Sequence, residues 1–252
     1  YAALPGTISY INRLAGNSGY GNYVVLEHNF NGLSLYTLYA HLASVQRELV
    51  AGQRVEAGAK LGIMGRTAGG YTIGLAQTHL HFEIGVRLTD NASFQNWYAW
   101  KKYTTANHHG PYNGMNLVGM NTLELFEKMR DKTFEGYRRH LEKIPPAFAL
   151  RVYTNKVPEF IRRNPALLKK QIPANLAAWD IEFTWYAMPL SFTPRSVTEV
   201  HARRAGDVRV LGYDKQLIQS EKSRSTLIFN GENISYGKNL LDNLNLLFNF
   251  RY

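Results

Sequence analysis

Up to about Asp90, short apolar and polar positions alternate along the chain, and glycine and asparagine separate the runs. This pattern is typical of antiparallel strands. The strands it predicts cover residues 6–11, 21–26, 33–42, 52–55, 58–65 and 78–86. Helical spacing is almost absent from this part of the chain, so we expect a mainly β fold built on an antiparallel sheet.

After residue 105 the pattern becomes mixed. Apolar residues at helical spacing predict a helix from Leu123 towards His140, which Pro145 and Pro146 would end. Two short helices are expected after Pro158 and from Pro165. Strands are then predicted over residues 180–186, 207–211, 225–229 and 245–252.

Two stretches of this second part allow a special interpretation. The aromatic run at residues 179–186 could present a platform for sugar rings, but aromatic strand residues are expected in the core. The alternating aromatic end at 245–252 is similar to the last strand of an outer-membrane barrel, but we expect an ordinary closing strand of a soluble β subdomain. The change of pattern predicts a domain at residues 1–104 and a mixed α+β extension at 105–252, which could be a separate envelope-binding or packing subdomain.

The amino-acid composition limits which side chains could bind a metal and which kind of partner the protein could bind. The 252 residues are 45% hydrophobic and contain no cysteine, so any metal must be held by His, Asp or Glu. The formal charge of +10 favours an anionic partner such as nucleic acid, an anionic envelope polymer or a membrane surface. Nucleic acid is disfavoured because no basic stripe interleaved with aromatics lies on one element. No apolar run approaches the ~18 residues of a membrane-spanning helix. Nothing in the sequence indicates an oligomeric state.

Three histidines stand on predicted strands. Alternation places His79 and His81 on one face with Leu80 in the core between them, and it places His41 on the face of Tyr39. Neighbouring imidazoles on a polar face can serve metal binding or proton transfer, but the spacing alone does not establish such a site. The isolated histidines are expected at the surface or in loops; they are His28, His140 and His201.

Five ordered blocks then resemble the lysostaphin/LytM-type zinc metallopeptidases. The blocks are Gly19-Tyr-Gly-Asn-Tyr-Val-Val-Leu-Glu-His28, Leu38-Tyr-Ala-His-Leu42, residues 51–62, residues 65–69 and Thr78-His-Leu-His-Phe-Glu83. The block at 51–62 alone is shared with biotinyl-like domains, but the tip between its strands presents no lysine in a carrier context. The resemblance covers about residues 1–90 and implies the LytM-like, duplicated-hybrid-motif type of antiparallel fold.

The resemblance also implies roles for the histidines. His81 would be a zinc ligand, while His79 and His41 would handle protons and stabilise the tetrahedral intermediate. The implied reaction is zinc-dependent hydrolysis of peptide bonds in the stem or cross-bridge peptides of peptidoglycan, in the bacterial cell envelope, either periplasmic or secreted. Residues expected to line the substrate groove are Tyr39, Asn22 and Thr78.

One departure from the family leaves two hypotheses. The other two zinc ligands of the family come from an upstream His-x-x-x-Asp block, which does not occur in these 252 residues, and zinc needs more than one protein ligand. Either the chain is an N-terminally cut enzyme, inactive as given, or it is a non-catalytic relative that binds peptidoglycan or activates another hydrolase. We favour the first. A site rebuilt from His108, His109 and Asp90 is disfavoured, because adjacent loop histidines are expected to face solvent.

Overall fold

The computed structural model describes residues 1–201, 203–220 and 225–252. These residues form two compact units. The first unit comprises Tyr1–Phe30, Ser34–Arg87 and Lys102–Glu124. The second comprises Asn31–Leu33, Leu88–Lys101 and Leu125–Tyr252. The two-domain division at residue 104 remains a proposal, and residues 102–124 lie in the first compact unit.

The first unit is one antiparallel sheet. Its strands are β1 (Gly6–Asn12), β2 (Asn22–Asn29), β3 (Ser34–Val45), β4 (Arg54–Val55), β5 (Gly62–Met64), β6 (His81–Arg87) and β7 (Leu117–Gly119). Their order is β4-β1-β2-β3-β6-β7, and β5 pairs with the end of β3. The prediction of a mainly β, antiparallel fold is confirmed.

The two faces of this sheet bury different side chains. One face carries an aliphatic core that includes Ile8, Leu26 and Leu42. The other face is rich in tyrosine, with Tyr23 and Tyr36 fully buried at its centre. His81 is the first residue of β6, and its ring lies 5.2 Å from that of Tyr20, which packs against this second face, so tyrosines form part of the local environment of the site.

The second unit combines a sheet with short helices. The strands β8 (Phe148–Tyr153), β9 (Leu176–Phe183), β10 (Pro189–Ser196) and β11 (Val208–Tyr213) pair in the order β10-β9-β8-β11, and β12 (Leu227–Asn230) with β13 (Asn233–Tyr236) forms a hairpin. The helices are α1 (Asn91–Trp100), α2 (Thr122–Arg130), α3 (Tyr137–Lys143), α4 (Glu159–Arg163), α5 (Lys215–Ser220) and α6 (Lys238–Phe248). Trp179 of β9 is fully buried, as expected for a core position. Within the described ranges, no helix is long and apolar enough to cross a membrane.

Two predicted elements of this part were wrong. The long helix expected from Leu123 to His140 is broken into α2 and α3, because the chain adopts positive φ at Lys132 (59°) and Gly136 (107°). The strand expected at 245–252 is instead the end of α6, in which Leu240, Leu244 and Leu247 are buried at helical spacing. The aromatic alternation that suggested a strand begins inside this helix and continues past its end.

Two histidines expected at the surface are buried. His28 is 4% exposed, donates from Nδ1 to the carbonyl of Pro5 (2.8 Å) and accepts at Nε2 from the hydroxyl of Thr37 (2.8 Å). His140 is also 4% exposed, and Lys128 Nζ lies 3.3 Å from its Nδ1. The burial of both rings was not predicted, because their partners lie elsewhere in the chain and no local sequence pattern indicates them. His201 is exposed, as expected.

The pairing of β6 with β7 depends on one glycine. A Cβ at Gly85 would overlap the carbonyl of Val118 and the backbone of its partner Gly119, whereas a Cβ at Gly119 would find its nearest atom, the Ile84 carbonyl oxygen, at 3.8 Å. We therefore expect Gly85→Ala to lower the free energy of unfolding by about 1–3 kcal/mol. The matched control Gly119→Ala should change it by less than about 1 kcal/mol. Urea denaturation of both variants checks this, and equal effects would contradict the assigned register.

Candidate active site

Strand β3 contains one extra residue at the point where it carries a histidine. Tyr39 lies opposite Val24 of β2 but Leu42 lies opposite Asn22, so three steps along β3 match two along β2. This is a β-bulge. His41 lies within it with a φ of 58°, in the left-handed region that residues other than glycine rarely adopt. Strained backbone of this kind is often found at functional sites.

The bulge reverses the face to which His41 points. Alternation predicted its ring on the side of Tyr39, but Tyr39 and Leu42 pack together in the aliphatic core. The ring of His41 instead lies 5.6 Å from the ring of His81, which pairs through its backbone with Ala40 on the opposite face. The strict alternation expected along β3 was therefore wrong at this residue, because the extra residue shifts the phase.

Hydrogen bonds hold the bulge in place. The N–H of His41 donates to the carbonyl of Tyr20 at 2.9 Å. Both the Thr67 hydroxyl (2.8 Å) and the Asn22 amide (3.1 Å) donate to the carbonyl of Leu42. Positive-φ Gly21 lets Thr67 approach, because any Cβ there would overlap the Thr67 carbonyl.

His41 and His79 are each anchored through Nδ1. His41 Nδ1 lies 2.8 Å from the carbonyl of Thr67, and His79 Nδ1 lies 2.7 Å from the carbonyl of Gln77. A carbonyl can only accept, so both Nδ1 atoms carry the hydrogen and both Nε2 atoms keep a lone pair when the rings are neutral. The two ring centroids are 4.9 Å apart. His41 is 3% exposed, whereas His79 is exposed.

His81 is anchored through the opposite ring nitrogen. Its Nε2 lies 2.8 Å from Oε1 of Glu83, and the hydroxyls of Tyr20 and Tyr36 donate to Oε1 and Oε2 at 2.7 Å each. Burial acts to raise the pKa of the Glu83 carboxyl, but the hydrogen bonds from His81, Tyr36 and Tyr20 outweigh it and the pKa is lowered. The carboxylate is therefore charged at neutral pH and accepts from Nε2–H, which leaves the lone pair on Nδ1 of His81.

The electrostatics favour a neutral ring at His41. Burial lowers the pKa of His41, the hydrogen bond to the Thr67 carbonyl opposes this, and the nearby His81 and His79 lower it further. Below its folded-state pKa the ring would be charged next to two other imidazoles. At neutral pH, His41 therefore offers Nε2 as a proton acceptor.

The histidines do not form a metal site by themselves. Among the described residues, no group of three or more His, Asp or Glu side chains is arranged to hold a metal ion. His81 fits the role of a single ligand, because a ligating imidazole usually donates its other N–H to a carboxylate, as His81 does to Glu83. Zinc needs further protein ligands, so the residues described here do not complete a zinc site.

The expected groove residues have other partners. Tyr39 is 2% exposed and its hydroxyl accepts from the N–H of Ala3, so it belongs to the core and not to a groove; the bulge next to it explains the error. Asn22 braces the bulge, and its Oδ1 is buried with no hydrogen-bond partner among the described residues. The Thr78 hydroxyl donates to the Leu75 carbonyl at 2.7 Å. Leu80, expected in the core, is 40% exposed because β6 begins only at His81.

The residues considered for a rebuilt metal site, His108, His109 and Asp90, belong to no metal-binding group among the described residues. Asp90 caps α1 by accepting from the N–H of Ser93 at 2.7 Å. His109, expected to face solvent, is 6% exposed: Nε2 donates to the Asn17 carbonyl (2.8 Å) and Nδ1 accepts from the Tyr10 hydroxyl (2.9 Å). His108 is exposed, as expected.

The sequence patterns did not indicate a role for three residues of the site, which are Glu83, Thr67 and Tyr20. Glu83 could have been found, because its i, i+2 spacing from His81 on a strand puts both on one face. Thr67 stands inside a recognised block, but its contacts with the bulge depend on a loop conformation. Tyr20 reaches Glu83 across a sequence separation of 63 residues, for which no local pattern exists.

Comparison with known proteins supports the family resemblance. Residues 1–94 match the family model described as Peptidase family M23. The resemblance is confirmed at the family level. We call residues 1–94 the M23-like region. The match supports a peptidase-type function, and it ends before residues 102–124, which complete the first compact unit.

Several solved structures are similar to parts of the chain. A zinc containing peptidase from Vibrio cholerae is 31% identical over 33% of this chain and 22% of that chain, with a TM-score of 0.26. A mutant catalytic domain of the prophage-encoded M23 protein EnpA from Enterococcus faecalis is 23% identical over 33% of this chain and 55% of that chain, with a TM-score of 0.26. The catalytic domain of the antimicrobial peptidase lysostaphin from Staphylococcus simulans is 19% identical over 50% of this chain and 68% of that chain, with a TM-score of 0.31. The chain thus spans about a fifth of the Vibrio peptidase. No curated protein matches it.

The left-handed backbone at His41 gives a stability prediction. His41→Gly and His41→Ala both lose the ring and its bond to Thr67, but only alanine keeps the cost of a Cβ at a φ of 58°. We expect the glycine variant to be more stable than the alanine variant by about 1 kcal/mol. Thermal or urea unfolding measures the difference. An alanine variant that equals or exceeds the glycine variant would contradict the bulge.

The lowered pKa of His41 gives a pH prediction. Its ring signal in NMR spectra, assigned by its loss in His41→Ala, should titrate with a midpoint below the ordinary value of 6.5. Because the unfolded chain binds this proton at a higher pH than the folded protein does, the free energy of unfolding should fall as pH drops below about 6.5 and be unaffected by this group above it. A midpoint at or above 6.5 would contradict the assigned burial.

Proposed function

We propose that this protein acts as a zinc-dependent peptidase on the stem or cross-bridge peptides of peptidoglycan in the bacterial cell envelope, either periplasmic or secreted. The observation that carries the proposal is the group of three imidazoles, each anchored through one ring nitrogen and each keeping a lone pair on the other. The match of residues 1–94 to peptidase family M23 supports it.

Two histidines have the properties needed for proton transfer. His41 is neutral at physiological pH and anchored at Nδ1, so its Nε2 can accept a proton from an attacking water. His79 lies beside it and is exposed, which suits donation from Nε2, once protonated, to the developing oxyanion. Both rings are held through Nδ1 by hydrogen bonds to carbonyl oxygens, so their orientation does not depend on the substrate.

The role of zinc requires residues beyond those described. His81 would supply Nδ1 as one ligand, and a bound zinc ion would supply Lewis-acid activation of the reacting carbonyl and water. The remaining ligands are not among the described residues, so we expect the 252-residue chain to be inactive or nearly so. The formal charge of +10 suits an anionic polymer as the substrate.

A non-catalytic function is the second candidate. The lack of a metal-binding group among the described residues favours a protein that binds peptidoglycan or activates another hydrolase. In that case binding to insoluble peptidoglycan should persist when His41 and His79 are both replaced by alanine, and no chain length should release muropeptides.

The test compares the 252-residue chain with the complete product of its reading frame. Each is incubated with purified peptidoglycan in the presence of zinc or a chelator, and released muropeptides are measured. We expect zinc-dependent release by the complete product, lowered about 10²-fold or more by His41→Ala or His79→Ala. His201→Ala, at an exposed site, is the matched control and should retain full release.

The outcomes separate the two candidates. Release that is abolished by the chelator and by either active-site substitution supports the peptidase. Absence of zinc-dependent release from the complete product, with peptidoglycan binding intact, would exclude the peptidase and favour the non-catalytic function.

A further inference from the structure

We infer that Glu83 is a positioning residue, which fixes the ring of His81 with Nδ1 free to act in the site. Its importance for chemistry rests on the proposed peptidase function, but the contact itself can be tested without any activity. The family resemblance assigns no role to Glu83. Three donors surround this one carboxylate.

Both carboxylate oxygens of Glu83 are engaged from three directions. Oε1 accepts from Tyr20 (2.7 Å) and from His81 (2.8 Å), and Oε2 accepts from Tyr36 (2.7 Å). The side chain retains 18% of its exposure, and that of His81 retains 37%. The carboxylate thus lies deeper than the imidazole it holds. Hydrogen bonds to a charged acceptor are stronger than those between neutral groups.

This arrangement determines which ring nitrogen of His81 is available. A carboxylate accepts and does not donate, so the hydrogen stays on Nε2 and the lone pair on Nδ1. Without Glu83, the ring could rotate or exchange tautomers. A carboxylate behind a ligating imidazole is the usual device for holding such a ring in one orientation.

The tyrosines are themselves positioned by the fold. Tyr36 is fully buried in β3. The ring of Tyr20 lies 5.2 Å from that of His81 and 5.3 Å from that of Tyr23, whose hydroxyl donates to the Tyr112 carbonyl. A Cβ at Gly114 would come within 2.8 Å of the Tyr20 hydroxyl, so the glycine leaves room for that hydroxyl to reach Glu83. Residues 112 and 114 lie beyond the M23-like region, so the support of Glu83 extends past the family match.

The test observes the Nε2–H of His81 directly. The 252-residue chain is labelled with ¹⁵N-histidine, and long-range proton–nitrogen spectra are recorded near pH 8.5, where free imidazole is neutral (ordinary pKa about 6.5). Wild type should show one His81 tautomer with hydrogen on Nε2 and a slowly exchanging ring N–H. Glu83→Ala should raise the exchange rate of that hydrogen about tenfold or more, since it loses a hydrogen bond to a charged group.

Two further variants control for a general effect on folding. Glu83→Gln keeps an acceptor oxygen of the same shape, so exchange should rise less than in Glu83→Ala. Tyr36→Phe removes a donor to the other oxygen and leaves the His81 bond, so its exchange rate should stay within about twofold of wild type. If Glu83→Ala does not fold, the comparison of Glu83→Gln with Tyr36→Phe still decides the matter, because only the former touches the acceptor of His81.

Two results would overturn the inference. One is an unchanged exchange rate and tautomer in both Glu83 variants, and the other is an equal increase in Tyr36→Phe. Neither result depends on hydrolysis. A positive NMR result together with a complete product that releases no muropeptides would leave the positioning role intact and remove the proposed function.

Discussion

The left-handed conformation of His41 is the constraint on which the rest of the site depends. A regular β3 would send this ring into the aliphatic core beside Tyr39, and it would be out of reach of His81. A conformation of this kind costs about 1 kcal/mol or more for a residue with a Cβ. The Tyr20 carbonyl and the loop around Thr67 hold it in place.

Each of the three imidazoles is anchored by its own acceptor, and at His41 the two other rings also lower the pKa. Two of them donate to backbone carbonyls, and the third donates to a buried carboxylate. At His41, burial lowers the pKa by more than the hydrogen bond to the carbonyl raises it, whereas His81 has the negative charge of a carboxylate behind its ring. The three rings therefore differ in the acceptor that anchors them, and in the proposed function they would serve as proton acceptor, proton donor and ligand.

The sequence predicted strands β1 to β6 of the first unit and the three site histidines because both depend on local patterns, whereas the short strand β7 was not predicted. Alternation located β2, β3 and β6, and the ordered blocks singled out His41, His79 and His81. Alternation failed at the bulge, since β3 is buried on both faces there and the shift of phase was not marked by a change between polar and apolar positions. The burial of Tyr39 depends on that phase. The contacts of Glu83 depend on Tyr20, which is far away in the chain. At the C-terminus, leucine spacing and aromatic alternation overlapped, and tertiary burial favoured α6.

The short strand β7 has a consequence for how the peptidase-like part can be isolated. It lies outside residues 1–94, yet it pairs with Gly85, Val86 and Arg87 along the edge of β6. A fragment cut at the limit of the family match would leave these backbone groups open to solvent. Unpaired edge strands can pair with strands of other molecules. Such a fragment would tend to self-associate through the very strand that carries His81, so recombinant expression of this region should retain the chain at least through Gly119.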